Sequence, residues 1–513
     1  MKKTLTHKLF AIFAMAFCGI MVLASCSKGA SISSTIPDDA SFVATANISN
    51  IWDKGDLKNS DNVAFIKLMR QELKKEMPEL SDLVDNLIAD PSSCGINFKS
   101  DIAAFSAKTI SADFVVSALV RDAGKVGNFL RNISDNSDLK MNISKEDKYY
   151  LAFCDEGDFL VCWDKKKAYL MMLSSGDNIN EAKDYANRIM SLGDSRTMAS
   201  NDNFNKYLKS HADAGLFTDM KNIMEMRNAF DGIPEKFAEE LKKASFFVSL
   251  NFNKGDITVL YKTLGLDNKE LAKITDCKFN ADLLSFMQDK TLAGATFAMN
   301  VDALVSELEN MQDAKELDEK IIKDITLRDI LRSFNGSFAA NISDIVENKN
   351  SFMPTFAFAA DLSKNSVFKK VLDEMVGSML ERKGNNYYIK GIDIYIALND
   401  KVVLVTNDQS VLNTFPNGNK NGMAQIAKEA KNGNYLYLDL GIDKYPAVIT
   451  KRLNNNSIQL LKGFIKYADL KTIDKNSGEL VIHLANEKQN SLAFTIHYFD
   501  DNMMQLGELA DLF

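Results

Sequence analysis

The chain carries one pattern of predicted strands and helices twice. Residues 42–51, which read FVATANISNI, and residues 295–304, which read ATFAMNVDAL, each indicate a strand that runs through an asparagine into an amphipathic helix. Residues 114–120 and 356–362 each indicate another strand with a helix after it, and short strands joined by turns follow in both places. A chain of 513 residues is too long for one hydrophobic core. We therefore interpret the pattern as a tandem repeat of one folding unit, with two independent domains of similar pattern as the alternative.

The order of strands within each copy predicts an α+β fold. Most strands are joined by short turns, which favours a largely antiparallel sheet, and we expect the helices to pack on one face of it. Each copy closes on two strands. These closing strands cover residues 246–252 and 257–262 in the first copy and residues 480–484 and 492–498 in the second. Charged residues separate the copies, so we expect a first repeat over residues 36–272 and a second over residues 278–513.

The first 26 residues indicate export and lipidation. Residues 1–8 carry three lysines, and residues 9–23 are uncharged and almost wholly apolar. This arrangement is typical of a secretory signal, because the apolar run is shorter than the roughly 20 residues of a membrane-spanning helix. Residues 23–26, which read LASC, resemble the bacterial lipobox. The resemblance implies cleavage between Ser25 and Cys26 and lipid attachment at Cys26, with an uncleaved signal anchor as the alternative.

These features predict a folded chain outside the cytoplasm, held at a membrane by its lipid. The signal peptide would cover residues 1–25 and the lipidated tether residues 26–35. Each buried methylene contributes about 0.8 kcal/mol, so several acyl chains hold a protein on a membrane almost permanently. In enteric lipoproteins an Asp after the lipidated Cys causes retention in the inner membrane; by that resemblance, Ser27 implies the outer membrane, facing the periplasm. The formal net charge of −8 argues against nucleic acid as a partner.

The sequence offers few residues for catalysis or metal binding. It contains no dinucleotide-binding glycine motif, P-loop, metalloprotease helix, nucleophile elbow or EF-hand loop. Only His211, His483 and His497 follow the predicted signal. His483 and His497 fall on one face of the predicted closing strands, where some loop lengths would set them opposite each other as a metal or proton site. Because no third ligand is indicated, solvent-facing strand histidines are the simpler interpretation, and we expect no cofactor.

Four cysteines follow the predicted lipid-attachment residue. They are Cys94, Cys154, Cys162 and Cys277. Cys154 and Cys162 flank an acidic turn, but in a tight hairpin Cys154 faces Phe159, so these two should not form a disulfide. An export compartment permits disulfides, and the sequence leaves open whether any pair forms. Separate buried thiols are the default interpretation, because cysteine is often simply a core residue.

Acidic clusters and tryptophans are the remaining candidates for a functional role. Residues 38–39, 155–158 and 500–501 are acidic and would suit acid–base pairs or calcium. Each cluster falls at an expected turn or strand end, where Asp is favoured by its own backbone hydrogen bonding. Trp52 and Trp163 would suit stacking on sugars, but packing is the simpler role.

Two short motifs add a family resemblance to the lipobox. Residues 36–43, which read IPDDASFV, and residues 94–97, which read CGIN, resemble an uncharacterised family of Bacteroidetes envelope lipoproteins, a domain of unknown function. The resemblance covers nearly the whole mature chain and implies a place in the cell envelope, with no established activity. We expect a non-enzymatic lipoprotein that binds or scaffolds a protein partner or an apolar molecule on its sheet faces. The alternative is an envelope hydrolase acting on glycans or peptides, which needs converging carboxylates, or His483 and His497 with acids.

Overall fold

The computed structural model describes most of the chain between residues 31 and 502. The predicted signal peptide, Ser25 and Cys26 lie outside the described residues, as does the acidic cluster at residues 155–158. The described residues are 31–57, 71, 75, 78–80, 82–83, 85–86, 91–107, 114–137, 140–154, 159–172, 179–226, 235–266, 269–275, 277–309, 314–348, 351–445, 450 and 462–502.

The first half of the chain alternates strands with short helices. Asx side chains begin several of these helices: Asn47 Oδ1 accepts a hydrogen bond from Asn50 N, and Asp122 Oδ1 accepts one from Gly124 N. The strands are β1 (Ala40–Ala46), β2 (Ile102–Ala107), β3 (Phe114–Leu119), β4 (Met141–Lys145), β5 (Tyr150–Cys154), β6 (Phe159–Trp163), β7 (Lys167–Met172), β8 (Ala214–Asp219), β9 (Ser245–Phe252) and β10 (Asp256–Leu264). The helices are α1 (Ile48–Lys54), α2 (Ala123–Asp135), α3 (Ile179–Met190), α4 (Asp202–Leu208), α5 (Met220–Met226), α6 (Glu235–Leu241) and α7 (Lys269–Thr275).

The second half of the chain also alternates strands with short helices, and it contains a longer hairpin. The strands are β11 (Ala293–Ala298), β12 (Lys320–Ile322), β13 (Ile325–Thr326), β14 (Phe334–Asn348), β15 (Ser351–Leu362), β16 (Leu380–Lys383), β17 (Asn386–Ile389), β18 (Tyr395–Leu398), β19 (Val402–Thr406), β20 (Tyr435–Asp439), β21 (Ile465–Asp474) and β22 (Ser477–Leu484). The helices are α8 (Val301–Glu309), α9 (Leu327–Leu331), α10 (Asn365–Met375), α11 (Gln409–Thr414), α12 (Ala427–Ala430) and α13 (Ser491–Asp501).

The chain divides into two compact units. Unit 1 comprises Met1–Leu266 together with Asn486–Met503, and unit 2 comprises Asp267–Ala485 together with Met504–Phe513. Unit 1 therefore takes α13 from the end of the chain, and α7 belongs to unit 2. The mixture of helices with a large antiparallel sheet confirms the predicted α+β class.

Each unit has its own run of paired strands. In unit 1 the neighbours follow the order β4-β5-β6-β7-β3-β2-β1-β8-β9-β10, with every pairing antiparallel. In unit 2 the order is β16-β17-β18-β19-β15-β14-β11-β20-β21-β22, again antiparallel throughout. β12 and β13 pair only with each other. Short turns account for the antiparallel pairing of strands that follow one another closely, such as β5 with β6 and β9 with β10, as the sequence predicts.

Helices cover both faces of part of each sheet, so the prediction that they pack on one face was wrong. In unit 1, Leu160 of β6 belongs to a core cluster with Ile189 of α3, whereas its neighbour Val161 belongs to another cluster with Leu130 of α2. Every residue of β6 is buried. Consecutive apolar residues, as in FLVCW, are typical of a strand covered on both sides, and this signal outweighs the alternation used in the prediction.

The predicted closing strand at residues 492–498 is a helix. α13 spans Ser491–Asp501, and Asn490 Oδ1 accepts a hydrogen bond from Leu492 N at 2.9 Å as its N-cap. The rings of Phe494 and Tyr498, one helical turn apart, lie 5.4 Å from each other. The alternation of apolar residues therefore mispredicts the element, because capping and tertiary packing override strand propensity here.

The cysteines of the β5–β6 hairpin occupy opposite sides of the sheet. Cys154 is paired with Phe159 and Cys162 with Leu151, as register requires. Cys154 belongs to the cluster beneath α2, and Cys162 belongs to the cluster on the other side. The prediction that these two thiols do not bridge is therefore confirmed. Cys94 is also buried, and Cys277 is half-buried.

Candidate functional site

A continuous apolar surface lies on one side of β1, β8, β9 and β10. The other side of these strands is buried, where Val43, Phe217 and Phe247 belong to the core. Because successive side chains of a strand point to opposite sides, the intervening residues face outward. We call this surface the open face of unit 1. It is defined by five large side chains that are 36–46% exposed: Phe42 46%, Leu216 42%, Phe246 36%, Val248 38% and Tyr261 42%.

Strand register aligns these side chains into rows across the four strands. Directly opposed side chains lie about 5 Å apart, so each row is a continuous contact surface. Two successive rows are Ala44–Leu216–Val248–Tyr261 and Phe42–Thr218–Phe246–Thr263, and a third is Ala46–Ala214–Leu250–Val259.

These three rows contain no charged side chain, and all four strands lie within the described residues. In the whole chain 25% of residues are charged, so charge is confined to other parts of the surface. Exposed apolar residues scattered singly are ordinary in soluble proteins, whereas contiguous apolar patches mark interaction sites. The open face of unit 1 is therefore the strongest candidate for a functional surface in this unit.

Unit 2 has a similar surface on β11, β20, β21 and β22. We call it the open face of unit 2 and define it by Phe297, Leu436 and Leu438, which are 43–50% exposed (43%, 50% and 43%). Its rows also consist of uncharged residues. They are Ala295–Leu436–Leu470–Leu480 and Ala293–Leu438–Ala468–Ile482.

His483 lies on the opposite side of the same strands and forms a defined pair with an acid. Its Nε2 lies 2.9 Å from Asp469 Oδ2, and its ring stacks on Tyr467 with centroids 4.0 Å apart. The carboxylate of Asp469 is almost fully buried, whereas the imidazole is partly exposed. Lys471 and Glu479 form an ion pair at 2.9 Å on the neighbouring row. His483 stands out in the sequence as one of few histidines, whereas Asp469, its bonding partner on the adjacent strand, does not.

The structure does not set His483 opposite His497, the arrangement that the sequence left as the less simple alternative. His483 lies on β22 and is paired with Tyr467 of β21. His497 lies on α13, which belongs to unit 1. Since residues 492–498 form a helix, the strand register that would oppose the two histidines does not exist. His211, the remaining histidine, lies between α4 and β8.

A buried polar network supports the same strands of unit 2. Asp439 is fully buried; its Oδ2 accepts hydrogen bonds from Lys444 Nζ at 2.6 Å and from the Tyr437 hydroxyl at 3.0 Å. Gly441 N also donates to Asp439 Oδ1 at 2.9 Å. Burial, together with the adjacent Asp439, raises the pKa of Tyr437 above its ordinary value. Every bond in this network joins neighbouring elements, so its role is structural.

Unit 1 has a comparable network around the start of α1. Lys54 Nζ donates to the fully buried Asp213 Oδ2 at 2.5 Å, and Phe252 N donates to the same oxygen at 2.7 Å. Asn47 Nδ2 donates to Asp101 Oδ1 at 2.9 Å. Burial raises the pKa of Asp101 above its ordinary 3.8, and the hydrogen bond from Asn47 acts in the opposite direction.

Asp101 is expected to lower stability at neutral pH. A carboxyl whose pKa is higher in the folded state binds more protons there, so the free energy of unfolding falls as pH rises from about 4 through the folded-state pKa. Replacing Asp101 with Asn keeps the acceptor for Asn47 and removes this titration. We expect the Asp101→Asn variant to be more stable than wild type at pH 7 and to lose this part of the pH dependence.

Urea unfolding between pH 3.5 and pH 8 measures the effect of Asp101→Asn. Asp135→Asn, at the exposed end of α2, is the matched control and should follow the wild-type profile. If Asp101→Asn follows the wild-type profile, or is less stable than wild type at pH 7, the raised pKa assigned to Asp101 is contradicted.

The tryptophans and acidic clusters have structural positions. Trp52 and Trp163 are 2% and 1% exposed, which confirms packing and excludes stacking on a surface-bound sugar. Asp38 and Asp39 precede β1, and Asp500 and Asp501 end α13. Among the described residues, no cluster of three His, Cys, Asp or Glu side chains has metal-binding geometry. No helix in the described part is long and apolar enough to cross a membrane.

The open faces are the feature that the sequence analysis missed. In β9 the side chains of Phe246, Val248 and Leu250 alternate with Ser245, Phe247 and Ser249. The alternation alone would place the more apolar side against a core, yet in the structure Phe246 and Val248 are the exposed residues. Which side of the strand stays open depends on the helices, whose positions a single sequence does not reveal.

Comparison with known proteins identifies the family. No curated protein and no solved structure matches the chain. A family model described as a domain of unknown function (DUF4836) matches residues 33–492, which include both open faces and the His483–Asp469 pair. This match spans most of the chain, so the protein belongs to the DUF4836 family.

Proposed function

We propose that the protein is a lipid-anchored, non-enzymatic component of the cell envelope that binds a protein partner through its open faces. The observation that carries this proposal is the open face of unit 1, an exposed apolar surface of three uncharged rows. The predicted lipid at Cys26 would hold the chain at the outer membrane, facing the periplasm, and so limit the partner to that compartment.

A protein partner suits these surfaces better than a small apolar ligand does. A small ligand needs a concave site that surrounds most of its surface. The covered sides of the sheets are filled by the chain's own side chains, such as Leu160 and Tyr169 in unit 1 and Leu404 in unit 2, all 0–1% exposed. The open faces present rows of a sheet, which pack well against another sheet or a helix. They also lack the Lys and Arg that attract anionic lipids, which favours a protein over a membrane surface.

We also propose that the two units arose from one duplicated repeat. With the short pair β12–β13 set aside, the strands of unit 2 follow the same order as those of unit 1, from β16 and β4 at one end to β22 and β10 at the other. The helix after the first strand is capped alike in both. Asn47 Oδ1 accepts from Asn50 N, and Asn300 Oδ1 accepts from Ala303 N, each at 3.0 Å. Both open faces lie on corresponding strands, which supports one repeated binding surface.

Within the described ranges, the His483–Asp469 pair is the one feature that supports the alternative, a hydrolase acting on envelope glycans or peptides. Acid–base catalysis needs, in addition, a nucleophile or a second carboxylate within hydrogen-bond reach of the reacting atom. The neighbouring carboxylate of Glu479 is bonded to Lys471. Binding therefore remains the function that the geometry supports best.

Charges placed on the open face of unit 1 test the proposed function. Leu216 and Val248 are adjacent in one row, so Leu216→Asp with Val248→Asp introduces two carboxylates that a bound partner would have to desolvate. We expect affinity capture of the tagged full-length protein from its own solubilised envelope to recover one partner, and the double variant to recover at least tenfold less.

The matched control carries the same added charge elsewhere. Asn128→Asp with Asn132→Asp places two carboxylates on the exposed side of α2 and should recover the partner as wild type does. Equal recovery by the open-face variant and wild type, with both proteins folded by circular dichroism, would exclude this surface as the binding site.

A further inference from the structure

A helix from the end of the chain covers the first helix of unit 1. α13 packs on α1, and a Cβ added at Gly55, just after α1, would lie 3.1 Å from Ile496 Cδ1. Ala493 of α13 is 4% exposed, so this side of α13 is buried. Because residues 267–485 belong to unit 2, α13 reaches unit 1 from the far end of the sequence.

Hydrogen bonds hold α13 at the end of the unit 1 sheet where β9 turns into β10. Gly255 N donates to Gln489 O at 3.0 Å, and Ser491 N donates to Asn253 O at 2.8 Å. Asn490 Nδ2 donates to Phe252 O at 3.0 Å. These bonds join the residues before α13 to the turn between β9 and β10.

α1 starts at this same end of the strands, whereas β10 finishes at their other end. Asn47 N donates to Asp213 O at 2.8 Å and Asp213 N donates to Leu250 O at 3.0 Å, so α1 begins beside the end of β9. β10 then runs away from this end for nine residues, Asp256–Leu264, or about 30 Å. The helix that follows β10 in the sequence, α7, belongs to unit 2.

Unit 2 has a corresponding arrangement around α8. α8 follows β11 as α1 follows β1, and its covering helix is α7, which follows β10 in the sequence. Asn300 N donates to Ile274 O at 2.8 Å, which joins α7 to the start of α8. Ala298 N donates to Asn434 Oδ1, and Thr472 N donates to Asn434 O. α8 therefore begins at the end of the strands where β21 turns into β22. Gln489 and Ser491, which follow β22, are bonded in unit 1 instead.

We infer that each unit is completed by the closing helix of the other repeat. The surface beside the first helix of a unit is an interaction surface, and the partner that fits it is the helix that follows the last strand of a different repeat. α13 completes unit 1, and α7 completes unit 2. This inference rests on the proposed duplication for the equivalence of the two helices, and it predicts that each unit is stabilised by a helix whose sequence follows the last strand of the other repeat.

Hydrogen exchange on the purified full-length protein tests this dependence. Ala493→Asp places a carboxylate in the buried side of α13, and Ile274→Asp does the same in α7, where Ile274 is half-buried. We expect Ala493→Asp to accelerate amide exchange in α1 at least tenfold and to leave α8 as in wild type. Ile274→Asp should do the reverse. Accelerated exchange in α8 for Ala493→Asp, or unchanged exchange in α1, would overturn the inference.

A milder substitution keeps the test valid if Ala493→Asp prevents folding. Ile496→Ala removes the α13 side chain that lies beside Gly55 at the end of α1. We expect Ile496→Ala to accelerate amide exchange in α1 at least threefold and to leave α8 as in wild type. Unchanged exchange in α1 would show that α13 does not sit on α1.

These outcomes are independent of the partner proposed above. Exchange is measured without a partner, and neither Ala493 nor Ile274 lies on an open face. If the wild-type protein captures no partner, but each substitution accelerates exchange only in the helix expected for it, this inference is retained and the binding proposal fails. If capture follows the proposal but exchange does not follow this pattern, this inference is overturned and the binding function is retained.

Discussion

Replacing Cys26 with Ser should release the protein from the membrane. The lipobox resemblance implies that the Cys26 thiol and the new amine carry acyl chains, and a serine hydroxyl does not accept them in the same reaction. Since each buried methylene contributes about 0.8 kcal/mol, losing these chains removes essentially all of the membrane affinity. After cell fractionation, we expect wild type in the detergent-soluble membrane fraction. The amount of Cys26→Ser in that fraction should be less than one tenth of the wild-type amount.

A second cysteine variant controls for the loss of a thiol. Cys277→Ser changes a half-buried cysteine far from the signal and should stay with the membrane. Mass spectrometry of the wild-type amino terminus should find cleavage between Ser25 and Cys26 with acyl chains attached. An unprocessed, unmodified amino terminus in protein from its own cells would contradict the assignment.

Trp163→Ala should cause the largest loss of stability among single substitutions in unit 1. Trp163 is 1% exposed, stacks on Tyr150 with ring centroids 5.4 Å apart, and donates from Nε1 to Ala123 O at 3.0 Å. Truncating a fully buried tryptophan leaves a cavity and an unpaired carbonyl, and costs about 3–5 kcal/mol in free energy of unfolding. Hydrogen exchange of α2, which begins at Ala123, should accelerate accordingly.

Trp163→Phe separates the packing of the ring from its hydrogen bond. The phenylalanine keeps most of the stacking and loses the donor to Ala123, so we expect a loss of about 1–2 kcal/mol. Urea unfolding followed by circular dichroism compares the variants. A loss below about 1 kcal/mol for Trp163→Ala would contradict the buried position, since exposed side chains cost little when truncated.

Local patterns in the sequence predicted much of the fold. The pair β9–β10 was expected within two residues of its observed bounds, and short strands joined by turns were expected where β5, β6 and β7 lie. The helices with Val126 and Leu130, and with Phe368 and Leu372, follow the strands that the sequence indicated. These elements are local, since strand and helix periodicities and turn residues act over a few positions.

Tertiary packing decided the features that the sequence analysis missed. Leu492, Phe494 and Ile496 alternate as in a strand, yet they form a helix because Asn490 caps it and α1 offers a surface for it. The partner of His483 is Asp469, fourteen residues away on the adjacent strand, and only the register of β21 and β22 brings them together. Likewise, the open faces depend on where helices leave a sheet uncovered, which no local pattern specifies.

Site-specific photocrosslinking in cells tests the binding account most directly. A benzophenone side chain at Val248 places a reactive group in the middle of the open face of unit 1, while the same group at Arg131, on the exposed side of α2, is the control. The account predicts a single protein adduct from position 248 and none from position 131. No adduct at position 248, adducts to lipid alone, or the same adducts from both positions would contradict it.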